Sequence, residues 1–344
     1  MSVYTEICEQ PEVLAALLRE QWPAVQEAAK AIRSRDIAYV FLSARGTSAH
    51  AGFYAQYLWG MYNRLVVASA SPSMFTRYQA APDLSRALVL GISQSGESPD
   101  IVEVVAEGAR QGALTMAITN APGSPLAQAA DFTLDVRAGA EKAVAATKSY
   151  TAQLLTIAML SVALDDPSGE RRAQLGRVPE AAAAVLAHEA VLQEIAAKFR
   201  HMERCLILGR GYNFATTLEW GLKMKEMAYV AADPYSSAEF QHGPAALVTP
   251  GLPVFATAPQ DAVYEDVLGL LERLVAQQAQ LVVLSDDERA LSLTQDSIRL
   301  PALPSWLSPL TAIIPAQIFC YHLTVAKGND PNMPRGLNKV TRTT

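Results

Sequence analysis

An apolar run ending in a short Arg-Gly turn occurs twice in this chain, 165 positions apart, and no other feature constrains the fold as tightly. Residues 37–43 (IAYVFLS) lead into Ala44-Arg45-Gly46, and residues 205–208 (CLIL) lead into Gly209-Arg210-Gly211. The same offset carries the apolar run 88–92 onto 253–257, and the run 114–119 nearly onto 279–284. In each half, apolar strands alternate with amphipathic stretches, a pattern that needs parallel sheets covered on both faces and right-handed crossovers. The predicted fold class is α/β, with two tandem doubly wound, flavodoxin-like parallel-sheet domains. The expected layout is an N-terminal segment 1–24, a first domain 25–165, a connecting helical segment 166–199, a second domain 200–328 and a tail 329–344. Within the connector, residues 179–199 are Ala-rich, and the stripe Val185, Leu186, Leu192 and Ile195 predicts one long helix.

Composition narrows the class of partner. With 344 residues, 50% apolar and 18% charged, the chain can fill two cores. A formal charge of −6 without a long basic run argues against a nucleic-acid surface. Cys8, Cys205 and Cys320 are odd in number and far apart, which suggests reduced thiols and a cytoplasmic protein. Residues 1–10 have neither a basic start nor an apolar core, so no secretory signal is expected. The apolar stretch 154–164, read as the longest of its kind, is too short to cross a bilayer and is expected to be a core helix, with no membrane partner. No His/Cys set has metal-ligand spacing, and neither a metal nor a cofactor is expected.

Chemistry concentrates first at Ser93-Gln94-Ser95-Gly96-Glu97-Ser98, between the strand 87–92 and a helix opened by Pro99 with an apolar stripe Ile101, Val102, Val105 and Ala109. A helix start offers unpaired N–H groups and the positive end of its dipole, and the hydroxyls add neutral donors, so a phosphate dianion fits. A plain polar turn with Ser98 as N-cap explains the same residue types equally well. The site's position at the carboxyl end of a parallel strand favours a ligand. No Walker sequence is present, which points away from a nucleoside triphosphate.

A second group lies in the helical segment 214–230, where Glu219, Lys223 and Glu226 fall within about 60° of one another. Leu218, Leu222 and Met227 supply apolar contacts and Lys225 points away. Spacing alone leaves open a solvated face with an i,i+4 pair. His242, before a Gly-Pro break in the polar stretch 235–244, has a residue type suited to proton transfer. His188 and His201 read as surface residues and His322 as a packing residue. In the tail, Lys339 has the chemistry to form an imine with a carbonyl if the segment folds back over a site.

Taken in order, these segments resemble the sugar isomerase (SIS) superfamily, and most closely the isomerase half of the glutamine:fructose-6-phosphate amidotransferases, also called glucosamine-6-phosphate synthases. The markers are Glu9-Gln10-Pro11, Arg45-Gly46-Thr47-Ser48, the 93–98 loop, Val144-Ala145-Ala146-Thr147-Lys148, the 218–226 helix, the 239–244 segment and Pro334-Arg335-Gly336-Leu337-Asn338-Lys339. The resemblance implies that Ser93, Gln94, Ser95 and Ser98 hold a sugar 6-phosphate, with Thr47, Ser48 and the Val144 backbone near the sugar. It further implies Glu226 as the base moving a proton between C1 and C2, Lys223 as stabiliser of the enediolate or enolamine charge, with Glu219 on the same face, His242 as the ring-opening group, and Lys339 as the imine-forming lysine. In that family the histidine comes from a neighbouring subunit, so a homodimer is the implied assembly.

Departures bear on the reaction. The glutaminase half with its N-terminal cysteine is expected to be absent, Arg45 stands where the synthases usually carry cysteine, Ala146 replaces a serine, and Asn338 replaces a small residue. The expected function is an aminosugar-phosphate isomerase/deaminase, converting glucosamine 6-phosphate to fructose 6-phosphate and ammonia. The alternatives are an ammonia-dependent or partner-supplied synthase, a ketosamine-6-phosphate deglycase and a non-catalytic sugar-phosphate sensor. A dinucleotide oxidoreductase is disfavoured because Gly209-Arg210-Gly211 lacks the third glycine of the fingerprint.

Overall fold

The computed structural model describes residues 2–339; Met1 and tail positions 340–344 lie outside the described residues. The chain divides into two compact units. The N-terminal unit comprises Glu9–Lys142 and Ala146–Arg177, joined by Asn338 and Lys339. The C-terminal unit comprises residues 2–8, Ala143–Ala145 and Val178–Leu337.

In the N-terminal unit the strands are β1 (Tyr39–Ala44), β2 (Val67–Ser69), β3 (Ala87–Ser93), β4 (Leu114–Thr119) and β5 (Phe132–Asp135). They form one parallel sheet in the order β2-β1-β3-β4-β5. All residues of β3 and β4 are buried, as a central strand covered on both faces requires. In the C-terminal unit the strands are β6 (Arg204–Gly209), β7 (Ala231–Ser236), β8 (Pro253–Thr257), β9 (Gln280–Ser285) and β10 (Ser297–Arg299). Their order, β7-β6-β8-β9-β10, repeats that of the first sheet. Even the register repeats: Phe41 faces Val89 in one sheet, and Leu206 faces Val254 in the other. The chain is thus α/β with two five-stranded parallel sheets, as the repeated motif predicted.

Helices cover each sheet. The helix Pro99–Arg110 buries Ile101, Val104, Val105 and Gly108. Val102 is only half-buried and Ala109 is exposed, so the buried stripe is rotated from the predicted one. Lys148–Leu164 is a core helix buried over nearly its whole length. Its counterpart in the second unit, Ser308–Ala326, is longer and also apolar all round, which corrects the reading of 154–164 as the longest such stretch. The segment Ser305–Ala326 is long and apolar enough to cross a membrane by length and composition alone, and 83% of its apolar window is buried inside the protein.

The predicted long connecting helix is instead two helices, Val178–Leu186 and Glu189–Lys198. The ladder breaks where the Ala187 and His188 amides turn back to Ala184 and Val185 in tighter i→i+3 bonds. Both pieces pack on the Ser308–Ala326 helix. The break lets Val185 and the pair Leu192 and Ile195 be buried along one partner, while Leu186 is left half-buried.

Candidate functional site

The serine loop is built by β3 and by the Pro99–Arg110 helix that follows it. Gly96 takes φ +64°, and a Cβ there would lie 2.0 Å from the Ser124 Oγ, so only glycine fits this turn. The Gly96 N–H donates to Ser93 Oγ at 3.1 Å, and the Glu97 N–H donates to Ser95 Oγ at 3.3 Å. Each hydroxyl therefore accepts from the backbone and retains its own proton to donate. Ser98 is the N-cap in extended conformation, with no side-chain cap bond, and Pro99 begins the helix. The Asn120 N–H pins the Gln94 carbonyl at 3.1 Å and the Leu126 N–H pins that of Gly96 at 3.1 Å. The result is a fixed loop with neutral donors and a twelve-residue helix's N-terminus beside it, a suitable cradle for an anion.

The neighbouring strand end contributes the start of the Gly46–Asn63 helix. Ala44 pairs with Ile92, so Arg45 and Ser93 follow adjacent strand positions. Arg45 donates from Nε and Nη2 to Asp100 Oδ2, both at 2.9 Å, tying this turn to the first turn of the Pro99–Arg110 helix. Thr47 is half-buried, and Ser48 is buried, accepting from Gln153 Nε2 at 3.1 Å. Val144 is grouped instead with the C-terminal unit, so it does not join Thr47 and Ser48 within one unit. Two of the family-like markers do pair: Lys148 Nζ lies 2.6 Å from Glu9 Oε2, and Thr151 Oγ1 donates to Gln10 Oε1 at 2.9 Å.

The charged stripe lies on the helix Phe214–Ala228, which ends at Tyr229 in the left-handed conformation. Lys223 Nζ is 3.2 Å from Glu219 Oε1 and 2.5 Å from Glu226 Oε2. Burial decides between the two readings that spacing left open. Glu219 and Lys223 are enclosed, while the Glu226 side chain is 23% exposed. This is a buried ion-pair triad with one accessible end, and a solvated face is ruled out. Leu218 and Leu222 are only half-buried, and the helix's apolar packing comes from Ala215, Trp220, Met224 and Met227. Burial alone would drive the Lys223 pKa down, but the Glu219 and Glu226 charges and their hydrogen bonds overcome it and raise it. Enclosure between two carboxylates thus favours the ammonium form of Lys223.

His242 lies exposed in the turn after the short helix Ser237–Phe240. His322 meets Glu189 Oε1 at 3.2 Å and His201 accepts from Arg200, as packing and surface residues do. Lys339, in the N-terminal unit, reaches a residue that sequence reasoning missed: its Nζ lies 2.9 Å from Oε2 of the buried Glu141. Glu141 carries no sequence signal, since it stands in a segment without periodicity and its lysine is 198 positions away.

Comparisons with known proteins agree with this fold. The SIS domain family profile matches residues 35–163 and 198–327. The chain is similar to the glutamine–fructose-6-phosphate aminotransferase (isomerizing) of Pyrococcus horikoshii, 34% identical over 339 residues, covering 97% of this chain and 56% of that protein. It therefore spans little more than half the length of that relative. Among solved structures it resembles a candidate phosphosugar isomerase of Silicibacter pomeroyi, with TM-score 0.86, 34% identity, and 96% and 100% of the two chains covered. A glucosamine-6-phosphate deaminase of Thermotoga maritima shares the fold at TM-score 0.80 and 22% identity, covering 100% of both chains.

Proposed function

This chain belongs to the SIS domain family, and from that premise we propose that it is a phosphosugar isomerase/deaminase converting glucosamine 6-phosphate and water into fructose 6-phosphate and ammonia. The observation that carries the reading is the graded burial of the triad: Glu226 alone has an accessible carboxylate, and the enclosed Lys223 holds it. Glu226 acts as the base that moves the proton between C1 and C2. A C–H beside a carbonyl or imine becomes acidic only when the developing negative charge is compensated, and the fixed Lys223 ammonium supplies that compensation. Glu219, enclosed and bonded to Lys223, acts as a positioning residue and does not touch substrate. Ser93, Gln94, Ser95 and Ser98 bind the 6-phosphate, Thr47, Ser48 and the Val144 backbone meet the sugar, and Lys339 forms the imine.

His242 opens the sugar ring for a neighbouring subunit in a homodimer, a role supported by its exposure on a turn. The three cysteines form no disulfide, which supports a reducing, cytoplasmic setting. The deaminase reading is in keeping with the fold shared with the Thermotoga glucosamine-6-phosphate deaminase.

A second reading, the reverse amination of fructose 6-phosphate with ammonia from another source, is favoured by the similarity, at 34% identity, to the Pyrococcus glutamine–fructose-6-phosphate aminotransferase. Incubating the protein with a panel of 6-phosphorylated aminosugars and ketosamines, and quantifying ammonia, amine and keto-sugar phosphate, separates the two readings and the deglycase. Glu226→Gln is expected to lose about 10²- to 10⁴-fold in turnover with sugar-phosphate binding retained. Unchanged turnover in that variant would assign the base to another residue.

A further inference from the structure

Glu141 is the most completely enclosed carboxylate of the N-terminal unit that the chemistry above leaves without a task. Its side chain has no exposed surface. Oε1 accepts the N–H groups of Thr147 and Ser149 at 3.0 Å each, and Oε2 accepts the Ser149 hydroxyl at 2.7 Å. Thr147 is the N-cap of the helix Lys148–Leu164 and Ser149 lies in its first turn, so the carboxylate sits at the positive end of a seventeen-residue dipole. Burial by itself opposes its ionisation, yet Lys339, Ser149 and Thr147 together hold its pKa below the usual carboxylate range. The adjacent Lys142 is exposed, and Lys148, the next lysine along the chain, is paired with Glu9. A prepared anion of this kind fits one ammonium, and Lys339 occupies it.

We propose that Glu141 is the positioning residue that docks the tail lysine, Lys339, for imine formation with a keto-sugar phosphate. This rests on the proposed phosphosugar chemistry of the same site. Condensation of an ammonium with a ketone forms the C=N bond and breaks the C=O bond: two N–H protons leave with the carbonyl oxygen as water, and the product iminium keeps the single positive charge. Glu141 thus faces one positive charge on Lys339 before and after the step, and its anion need not be rebuilt during turnover. Only the free amine has the lone pair to attack, so one of those two protons passes first to solvent, which reaches the 24% exposed Lys339 side chain, and is returned as the oxygen departs; Glu141 does not lower the amine's pKa. It fixes where the nitrogen lies, and a fixed nitrogen raises the effective concentration of the attacking group.

Two measurements on the full chain test this. Lysine acylation followed by mass spectrometry reads the ion pair without substrate. Glu141→Gln, which preserves shape but removes the charge, should raise acylation of Lys339 about tenfold, with exposed Lys30 unchanged as internal control. Ser149→Ala, which keeps both backbone bonds to Glu141, should give an intermediate rise and serves if the first variant folds poorly. Equal acylation of Lys339 in wild type and both variants overturns the docking. Borohydride trapping with fructose 6-phosphate then reads the positioning: the adduct on Lys339 should fall about tenfold in Glu141→Gln. Full trapping in a variant whose Lys339 has become reactive overturns the positioning role. Absence of an adduct in wild type as well would remove the imine step from the proposed function and the positioning role with it, while acylation would still decide the ion pair.

Discussion

The loops that follow β3 and β8 occupy equivalent places in two sheets of identical strand order, and their chemistry is opposite. After β3 come serine hydroxyls, a positive-φ glycine and a helix N-terminus. After β8 comes Pro259-Gln260-Asp261, where the Gln260 N–H is taken by Asp286 at 2.7 Å and burial pushes the Asp261 pKa up. Position 261 is the 165-residue counterpart of Gly96. One loop offers neutral donors to an anion, whereas the other carries the Asp261 carboxylate and is held by Asp286 from the turn after β9. The helix following the first strand diverges the other way: Phe214–Ala228 carries the buried triad, while in Gly46–Asn63 the counterpart of Lys223 is the buried Leu58. The duplicated scaffold thus divides its chemistry, with neutral donors beside a helix N-terminus in one copy and a buried charged triad in the other.

The sharpest way to break that comparison is at positions 58 and 223. Lys223→Met leaves Glu219 enclosed without its cation, and should cost about 3–5 kcal/mol of stability by urea unfolding. Leu58→Met, a volume-conserving exchange at the matching position, should cost less than about 1.5 kcal/mol. Because the folded Lys223 pKa is raised, its pairing contributes fully below the ordinary lysine value and is lost only as pH rises through the raised one. The gap between the two variants should therefore persist from about pH 6 to about pH 9. Equal costs would mean that the triad is not a structural charge cluster.

Next in size is Gly96→Ala. Positive φ and contact with Ser124 should cost about 1–3 kcal/mol, with weakened inhibition by inorganic phosphate as a second readout. At the counterpart, Asp261→Ala removes a carboxylate whose burial is unfavourable, and stability should change by less than about 1 kcal/mol. A shift of similar size at both positions would erase the distinction between the two loops.

Much of this division was legible in the sequence, and the reasons are physical. The 165-residue offset survives because strand order and register tie each apolar run to its neighbours. The triad was legible as a face because 3.6 residues per turn fixes the angles among Glu219, Lys223 and Glu226. Its burial was not, since it depends on packing against Ser308–Ala326, more than eighty positions onward. The break at Ala187 and His188 leaves no proline or glycine mark, because the helices stop where one partner helix dictates. Glu141 was invisible for a similar reason: its meaning comes from two amides, one hydroxyl and a distant lysine, none of which forms a pattern with it.

The last comparison concerns an ion pair that both copies keep. Arg45 binds Asp100, and at the same offset Arg210 Nη1 binds Asp266 Oδ2 at 2.7 Å. In each unit an arginine after the first strand ties its turn to the opening turn of the helix that follows the third strand. Its recurrence beside a loop of the opposite character marks Arg45 as a clamp inherited with the scaffold, although it stands next to the serine loop. The partners differ in burial: the Asp100 side chain is 2% exposed, and that of Asp266 is 63% exposed. Arg45→Ala should cost about 1–3 kcal/mol by leaving a buried carboxylate short of a donor, and Arg210→Ala less than about 1 kcal/mol. If Arg45→Ala instead leaves stability unchanged and raises only the Michaelis constant for the sugar phosphate, the clamp reading fails, and Arg45 becomes a charged member of the serine loop's anion site with no functional counterpart in the second copy.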